Sequence, residues 1–460
     1  MIELTRSGHR HQWSFGDVLD RSARFAGTLA EHGVARGDVV MTCIGNRSEW
    51  VLTLLACFRI GAVALPCTEQ LRVGDLRYRI GVARPSLVVA DERNLDQLRA
   101  AYPGGDVLVI PDESLFTDAD PAVVVDVEPE EPALITFTSG STGQPKAVVH
   151  GQRYLLGQRL QAESWFGARP GDLAWCTAAS GWSKSARNAF IAPWLCGASA
   201  LLHDARFDPQ ERIEILVRER VNVLCMAPTE YRILAKHVEL PALRDVRRLI
   251  AAGEALDADS FAAWKAITGL EIRDGYGQTE TGQLTGVADQ EVRAGSMGRP
   301  LPGIEAWVDR GELVVDPQTV PTFFLGYLGE PAPAGVWRTG DLVRADEDGY
   351  LYFQGRADDL IISAGYRISP AEVEGTLLSH PAVADAAVVG SPDHERGMIV
   401  RAVVVPAEPH EGSDALAREL MEYVKRETAP YKYPRIIEWA ESLPRTPSGK
   451  IKRSALRSSR

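Results

Sequence analysis

The chain alternates between short apolar runs and longer segments whose apolar residues recur at helical spacing. Apolar runs that predict buried strands lie at 39–44, 62–66, 87–90, 134–137, 198–202, 223–226 and 248–252. Helical spacing predicts helices over 13–37 and 46–60, from about residue 149, and from residue 208. Strand–helix–strand alternation of this kind is typical of parallel sheets that are covered by helices.

Capping signals mark the ends of several predicted helices. Asn46, followed three residues later by Glu49, predicts a capping box, and Gly61 predicts the end of the same helix. Asp208, with Glu211 three residues on, predicts the start of another helix.

The pattern changes beyond residue 300. Short strand-like runs at 312–315 and 350–353, separated by Gly, Pro and Asp turns, predict a small β-rich subdomain. The compact α+β pattern that follows has a helix from Ser369, strands at 383–390 and 400–405, and a helix over 414–427. We therefore predict an α/β protein with a large N-terminal domain (1–355) of parallel sheets, helices and the β-rich subdomain, and a small α+β C-terminal domain (356–460).

Composition narrows the class of protein. A chain of 460 residues is too long for one compact core, and its net charge of −12 argues against a general nucleic-acid binder. No apolar run reaches the roughly 18 residues that a membrane span needs, and the N-terminus has no apolar signal core. The six cysteines form no Cys-x-x-Cys pair, so we expect buried thiols in the cytoplasm.

The loop at 138–146 follows an apolar strand and is rich in Gly, Ser and Thr. Such a loop offers backbone N–H groups, hydroxyls and the charge of Lys146 to an anion, and the simplest ligand is the phosphate chain of a nucleotide. It is not the Walker loop, because Pro145 precedes the lysine and Ala147 follows it. The alternative is a flexible surface turn. Gly253 and Glu254 follow the strand at 248–252, where ligands bind in open α/β sheets.

Five motifs in a fixed order give the chain its resemblance to a known family. They lie at 138–146, 276–280, 339–341, 355–359 and 447–450. Together they resemble the adenylate-forming superfamily of acyl-CoA synthetases, peptide-synthetase adenylation domains and firefly-type luciferases. The segments 181–185, 192–197 and 358–370 are most similar to acetyl-, medium-chain- and benzoyl-type acyl-CoA synthetases.

The resemblance implies a two-step reaction with ATP, Mg²⁺ and CoA. A carboxylate attacks the α-phosphate of ATP and gives an acyl-adenylate and pyrophosphate, and the CoA thiol then displaces AMP. The C-terminal domain rotates between the two steps about a hinge at Asp358. The expected substrate is a medium-chain, branched or aromatic acid. The rivals are an enzyme that loads a carrier-protein phosphopantetheine and an inactive binding protein on the same fold. The sequence leaves the oligomeric state open.

The resemblance also assigns roles to residues of the nucleotide site. Tyr276 stacks on adenine, Thr279 touches the α-phosphate, and Glu280 ligates Mg²⁺. Lys450, which could otherwise be a solvated tail residue, bridges the acid and the α-phosphate during adenylation only. The ATP-binding residues are Thr138, Ser139, Gly140, Ser141, Thr142, Gly143, Lys146, Gly253, Glu254, Gly277, Asp341, Arg356 and Arg367.

Two further sets are implied for the acid and for CoA. The acyl pocket is assigned to Trp182, Lys184, Tyr231 and Gly275, and CoA binding to Ala364, Gly365 and Tyr366. Ala364 departs from the family, where a serine is common. Arg187 is either a surface or CoA-phosphate arginine or a residue that recognises a polar or acidic far end of the substrate.

Overall fold

The computed structural model describes residues 1–138, 145–254, 256, 258–287, 291–357, 359–363, 366–393, 396–428, 430–446 and 450–458. The chain divides into two compact units. The larger contains Met1–Thr138, Pro145–Glu305 and Asp316–Gly335, and the smaller contains Ala306–Val315 and Val336–Arg460. The sequence placed the β-rich subdomain with the N-terminal domain, whereas these units group most of it with the C-terminal residues. The predicted boundary at residue 356 concerns a rotation and stays a prediction.

In the described ranges, the strands of the larger unit form two large sheets and two antiparallel pairs. They are β1 (Ile2–Leu4), β2 (Arg10–Gln12), β3 (Val39–Cys43), β4 (Val63–Cys67), β5 (Leu87–Asp91), β6 (Val107–Ile110), β7 (Pro132–Phe137), β8 (Ala147–Gly151), β9 (Leu173–Cys176), β10 (Ser199–His203), β11 (Val223–Met226), β12 (Arg248–Ala252), β13 (Ile272–Gly275), β14 (Gly277–Gln278), β15 (Gly282–Gln283), β16 (Thr285–Gly286), β17 (Arg299–Pro300), β20 (Gly326–Tyr327) and β21 (Glu330–Pro331).

The helices of the larger unit lie between these strands. They are α1 (Phe15–Glu31), α2 (Ser48–Ile60), α3 (Val73–Ala83), α4 (Leu95–Ala101), α5 (Arg153–Gln161), α6 (Ser183–Ala186), α7 (Ala192–Leu195), α8 (Pro209–Arg218), α9 (Pro228–His237) and α10 (Ala258–Thr268). No helix in the described ranges is long and apolar enough to cross a membrane.

Parallel pairing dominates both large sheets, as the alternation of strands and helices predicts. One sheet has the order β13-β12-β11-β9-β10-β1-β2, and the other has the order β21-β20-β8-β7-β4-β3-β5-β6. In the first sheet only β2 is antiparallel to its neighbour. In the second sheet β8, β20 and β21 extend the parallel strands in antiparallel fashion. The predicted strands at 223–226 and 248–252 are confirmed and lie side by side.

Large apolar side chains fill the core of the first sheet. Trp175 and Leu224 on the strands and Trp264 on α10 are fully buried in one cluster. Burying a side chain of this size stabilises the fold by about 1.5–3 kcal/mol. The cluster therefore gives the strand ends that follow β11 and β12 a rigid support.

Two local predictions are wrong. Asn46 does not cap α2, because its amide donates to Ala178 O and accepts from Ser180 N, and the helix begins at Ser48. The segment from residue 149 is not a helix start but part of β8, which pairs with β7 across the loop, so that the helix begins only at Arg153.

The described residues of the smaller unit form two sheets and three α-helices. The strands are β18 (Ala306–Asp309), β19 (Glu312–Val315), β22 (Trp337–Ala345), β23 (Leu351–Arg356), β24 (Ile361–Ser363), β25 (Tyr366–Ile368), β26 (Val383–Asp393), β27 (Gly397–Pro406) and β28 (Ile436–Trp439), and the helices are α11 (Pro370–Leu378), α12 (Asp414–Glu427) and α13 (Arg453–Ser458). The sheet β18-β19-β22-β23 is antiparallel. The second sheet, β25-β24-β27-β26 with β28 beside β27, shares a core with α11 and α12.

Candidate active site

The turn that carries Thr279 and Glu280 is held from two sides in the larger unit. It joins β14 to β15. The ring of His150 donates from Nε2 to Thr279 O at 2.9 Å, and the backbone N–H of Phe324 donates to Glu280 O at 2.8 Å. Burial lowers the pKa of His150 to about 3, so the ring is neutral and serves as a fixed hydrogen-bond donor.

Tyr327 lies between the two charged residues that the sequence assigns to phosphate and metal. Its hydroxyl donates to Glu280 Oε1 at 3.0 Å, and Lys146 Nζ lies 4.6 Å from the centroid of its ring. Burial and the nearby charge of Glu280 raise the pKa of Tyr327, so it stays a neutral donor. Sequence reasoning missed Tyr327, because the pairing of β20 with β8 that brings it here is not visible in the local sequence.

The base of the loop at 138–146 is closed by hydrogen bonds. Thr138 N donates to Lys146 O at 2.9 Å, and Lys146 N donates to Thr138 Oγ1 at 3.2 Å. Tyr78 donates its hydroxyl proton to Pro145 O at 2.9 Å. The structure therefore fixes where the loop leaves and rejoins the sheet. The assignments of Ser139, Gly140, Ser141, Thr142 and Gly143 lie outside the described residues.

The end of β12 brings Lys184 together with Gly253 and Glu254. Gly253 has φ +103°, and a Cβ at this position would lie 2.9 Å from Lys184 Nζ. Lys184 donates to Ala252 O at 3.1 Å, and Thr229 Oγ1 donates to Glu254 Oε2 at 2.5 Å. The predicted adenine border and one predicted acyl-pocket residue are thus neighbours.

Glycines allow close packing around the predicted adenine and acyl positions. A Cβ on Gly275 would lie 2.3 Å from Gln283 Nε2 and 2.7 Å from Trp165 Nε1, and a Cβ on Gly277 would lie 1.9 Å from Gly282 O. Tyr276 lies between these glycines and is half-buried. Its backbone N–H donates to the hydroxyl of Thr285 at 3.2 Å.

Two predicted acyl-pocket residues differ in their surroundings. Trp182 is half-buried and directly precedes α6. Tyr231 is fully buried, and its hydroxyl donates to Ile250 O at 3.0 Å and accepts from Ile250 N at 3.2 Å. The Tyr231 hydroxyl therefore stabilises β12 through the backbone of Ile250. A hydroxyl used in this way does not fit the assignment of Tyr231 to the acyl pocket.

Asp341 and Arg356 are partners in the smaller unit. They face each other across β22 and β23, and Arg356 Nη1 lies 3.1 Å from Asp341 Oδ1. The same nitrogen donates to Thr339 O at 3.1 Å. Asp341 is buried, so the arginine supplies the charge that a buried carboxylate needs. The structure thus brings together the two residues that the sequence assigns to the ribose.

Lys450 is hydrogen-bonded to Thr446 near the C-terminus. Its side chain is exposed, its N–H donates to Thr446 Oγ1 at 3.2 Å, and Thr446 N donates to Lys450 O at 2.7 Å. Tyr366 is also exposed and stacks on Tyr431 with ring centroids 4.2 Å apart. Arg367 lies in β25, where its backbone alone is described. The assignments of Asp358, Ala364 and Gly365 lie outside the described residues.

No group of three or more His, Cys, Asp or Glu side chains in the described ranges could hold a metal ion. The half-buried Glu280 carboxylate is the hard oxygen ligand that Mg²⁺ prefers, and this ion is often held by one or two carboxylates together with substrate phosphates. The residues present therefore fit an ion that arrives with a nucleotide.

Comparisons with known proteins agree along the whole chain. A family model described as AMP-binding enzyme matches residues 2–326, and the model of the AMP-binding enzyme C-terminal domain matches residues 372–450. The uncharacterized acyl-CoA ligase YtcI of Bacillus subtilis is 35% identical over 98% of this chain and 91% of its own length. Human mitochondrial acyl-coenzyme A synthetase ACSM4 is 36% identical over 98% of this chain and 84% of its own. The crystal structure of the anthranilate CoA ligase AuaEII with anthranoyl-AMP has a TM-score of 0.89 and 27% identity, covering 99% of this chain and 93% of that chain.

Proposed function

Because the chain belongs to the AMP-binding enzyme family and is an AMP-forming acyl-CoA ligase, we propose that it activates a medium-chain, branched or aromatic acid and transfers the acyl group to free CoA. The observation that carries the proposal is the arrangement of Lys146, Tyr327 and Glu280 beside the pinned turn at Thr279. This arrangement supplies a cation and a carboxylate at one place, which is what a nucleotide triphosphate and its metal require.

Residues of the larger unit carry the adenylation step. Lys146 offsets negative charge on the departing pyrophosphate, and the Thr279 hydroxyl holds the α-phosphate while the acid oxygen attacks it. Glu280 would hold Mg²⁺. The ion, when bound, neutralises phosphate charge and orients the leaving group. The neutral ring of His150 keeps the turn in place because its donor does not change with pH near neutrality.

Residues of the smaller unit complete the two half-reactions. The Asp341 carboxylate accepts hydrogen bonds from the ribose hydroxyls, with Arg356 holding it in position. Lys450 bridges the attacking carboxylate and the α-phosphate for adenylation. Rotation of residues 356–460 about Asp358 then withdraws Lys450 and brings the CoA-binding segment, which includes Tyr366, to the adenylate.

We place the acyl group beside Trp182, Lys184 and Gly275, and we leave Tyr231 out because its hydroxyl is hydrogen-bonded to the backbone of Ile250. The anthranilate CoA ligase, which has a similar fold and contains anthranoyl-AMP, is an example of an enzyme of this fold with an aromatic acyl group. We retain the cytoplasm as the expected location, on the ground of six cysteines without a disulfide.

The test is acid-dependent exchange of pyrophosphate into ATP, with a panel of straight, branched and aryl acids and without CoA. Each active acid is then incubated with CoA, or with a phosphopantetheinylated carrier protein, and the thioester is identified by mass spectrometry. We expect exchange with one acid class and acyl-CoA as the product. Transfer to the carrier protein but not to CoA would contradict the proposed acceptor, and exchange with none of the acids would contradict the proposed substrate class.

A further inference from the structure

Arg187 brings a positive charge into the interior of the larger unit. Its side chain is 5% exposed, and Nη2 donates to Gln283 Oε1 at 3.4 Å. Nε and Nη1 make no hydrogen bond of good geometry, the neighbouring Tyr154 hydroxyl is neutral, and among the described residues no carboxylate forms an ion pair with Arg187. The surface position that the sequence left open is thereby excluded. A buried charge without a counter-ion is unfavourable, and this favours a ligand of opposite charge.

The side chains around Arg187 are neutral, and several lack partners. The Tyr154 hydroxyl lies beside Arg187, Ser183 and Gln158. Both amide atoms of Gln158 and the hydroxyl of Ser183 are buried, and beyond the Tyr154 hydroxyl that they share, they have no hydrogen-bond partner among the described residues. Nearly all buried polar groups in proteins are hydrogen-bonded. This set therefore has the donors and the charge for an anion that the protein itself does not supply.

A second amide pair extends the cluster. Gln161 Nε2 donates to Asn188 Oδ1 at 3.3 Å, while Asn188 Nδ2 has no partner. Gln161 lies on α5, which packs against the turn that begins at Arg187. Asn188 is fully buried. Its amide N–H₂ group is thus a further buried donor, on the residue that follows Arg187 in the chain.

The cluster continues from the proposed acyl site. Gln283, which accepts from Arg187, lies so close to Gly275 that a Cβ there would be 2.3 Å from its amide nitrogen. Ser183 lies directly between Trp182 and Lys184 in the chain. An acyl group that starts beside Gly275 would therefore have the Arg187 cluster at its far end.

The backbone is irregular at this same place. The helix that begins with α6 widens to a π-helical turn at Arg187–Ile191, where Ala192 N donates to Arg187 O. A second π-helical turn, Ala162–Phe166, carries Trp165, which packs against Gly275. Single π-helical turns inside α-helices are frequent at functional sites. Both turns adjoin the cluster.

From these observations, and resting on the proposed function, we infer that Arg187, with the amide of Gln158, binds a second carboxylate at the far end of the acyl substrate. The preferred substrates are then medium-chain α,ω-dicarboxylic acids or aromatic acids with a second carboxylate. A carboxylate accepts N–H···O bonds from a guanidinium, and the N–H groups of Arg187 Nε and Nη1, which lie on different edges of the group, make no hydrogen bond of good geometry to the described residues.

The test compares each diacid with its mono-methyl half-ester, which has the same length but no second charge. Pyrophosphate exchange gives kcat and KM for each acid. The shift in the thermal unfolding temperature that each acid causes measures its binding in the absence of ATP. The variants are Arg187→Met and, as a matched control on α5, Arg159→Met, whose side chain is 63% exposed. The half-ester leaves the buried charge of Arg187 without a partner, which weakens binding. We therefore expect the wild-type enzyme to prefer the diacid over its half-ester by about 30-fold or more in kcat/KM.

In the expected result Arg187→Met brings the diacid to half-ester ratio close to one, chiefly through KM, while Arg159→Met keeps the wild-type ratio. If the wild-type enzyme has the same kcat/KM for the half-ester or the monoacid as for the diacid, the inference is overturned, whether or not any variant folds. An Arg187→Met variant that raises the KM for CoA alone also overturns it. If no acid supports exchange, the proposed function fails; a diacid-selective thermal shift that Arg187→Met abolishes would still support the carboxylate site, and its absence would overturn the site too.

Discussion

The Tyr327 hydroxyl is hydrogen-bonded to Glu280 Oε1 at 3.0 Å, and the same side chain contacts Lys146, whose Nζ lies 4.6 Å from the ring centroid. A lysine and a glutamate at a phosphate site attract each other when no nucleotide is bound. The tyrosine holds one by a hydrogen bond and the other by a cation–π contact. We expect this arrangement to keep both charges free for the phosphates and the metal.

Replacing Tyr327 with phenylalanine keeps the ring and removes the hydrogen bond. Hydrogen bonds to charged groups contribute about 1.5–3 kcal/mol, so we expect pyrophosphate exchange to fall about tenfold or more. The Mg²⁺ concentration for half-maximal exchange should rise, because the carboxylate is no longer oriented. Tyr352 offers a matched control, since its hydroxyl donates to Asp346 Oδ2 at 3.0 Å away from the proposed chemistry. Unchanged rate and unchanged Mg²⁺ dependence in Tyr327→Phe would refute the role.

Lys450→Ala should separate the two half-reactions. Loss of a charge that acts only in the adenylation transition state typically lowers kcat by about 100-fold or more. Thioester formation from a supplied acyl-adenylate and CoA should stay near the wild-type rate. Lys452→Ala is the control, because Lys452 is also exposed and lies two residues away. Equal losses in both half-reactions would show that Lys450 does not have this role.

Tyr231→Phe tests whether this residue is structural. The change removes the hydroxyl that bonds to both backbone groups of Ile250, and the backbone N–H is left buried. We expect the free energy of unfolding in urea to fall by about 1–3 kcal/mol. The relative kcat/KM values across the acid panel should not change. An altered acid preference at wild-type stability would return Tyr231 to the acyl pocket.

Asp274 should make stability depend on pH. Burial raises its pKa to about 8 in the folded protein, while an unfolded aspartate titrates near 3.9. Between these values the folded state keeps a proton that the unfolded state releases, so the free energy of unfolding falls as pH rises, by about 1.4 kcal/mol per pH unit. Asp274→Asn removes this contribution and should gain stability over wild type as pH rises from 5 to 8. Urea unfolding of both proteins at each pH measures this. A difference between their free energies of unfolding that does not change with pH would contradict the prediction.

The sequence predicted those features that depend on neighbouring residues. Asp208 caps α8 by accepting from Glu211 N at 2.8 Å, and Gly61 ends α2 with φ +70°, as their local patterns indicate. Asn46 has the same kind of signal, but its amide bonds to residues more than 130 positions away. A long-range contact of this kind overrides a local capping preference, and the local sequence does not contain it.

The candidate site divides in the same way. Glu280 and Lys146 are recognisable from motifs, whereas Tyr327 joins them only because β20 pairs with β8. Tyr231 and Arg187 have residue types that suit a pocket, but burial decides their roles, and burial depends on the packing of whole sheets. Motifs thus identified the reaction, and the structure was needed to assign the side chains around the acid.

The most direct test of the account is the product balance of the purified protein with ATP, Mg²⁺, CoA and an acid that supports pyrophosphate exchange. Quenched reactions are analysed for AMP, ADP, pyrophosphate and thioester. We expect one AMP and one pyrophosphate for every acyl-CoA, and an acyl-adenylate that accumulates when CoA is left out. Formation of ADP and phosphate, or of acyl-CoA without AMP, would contradict it.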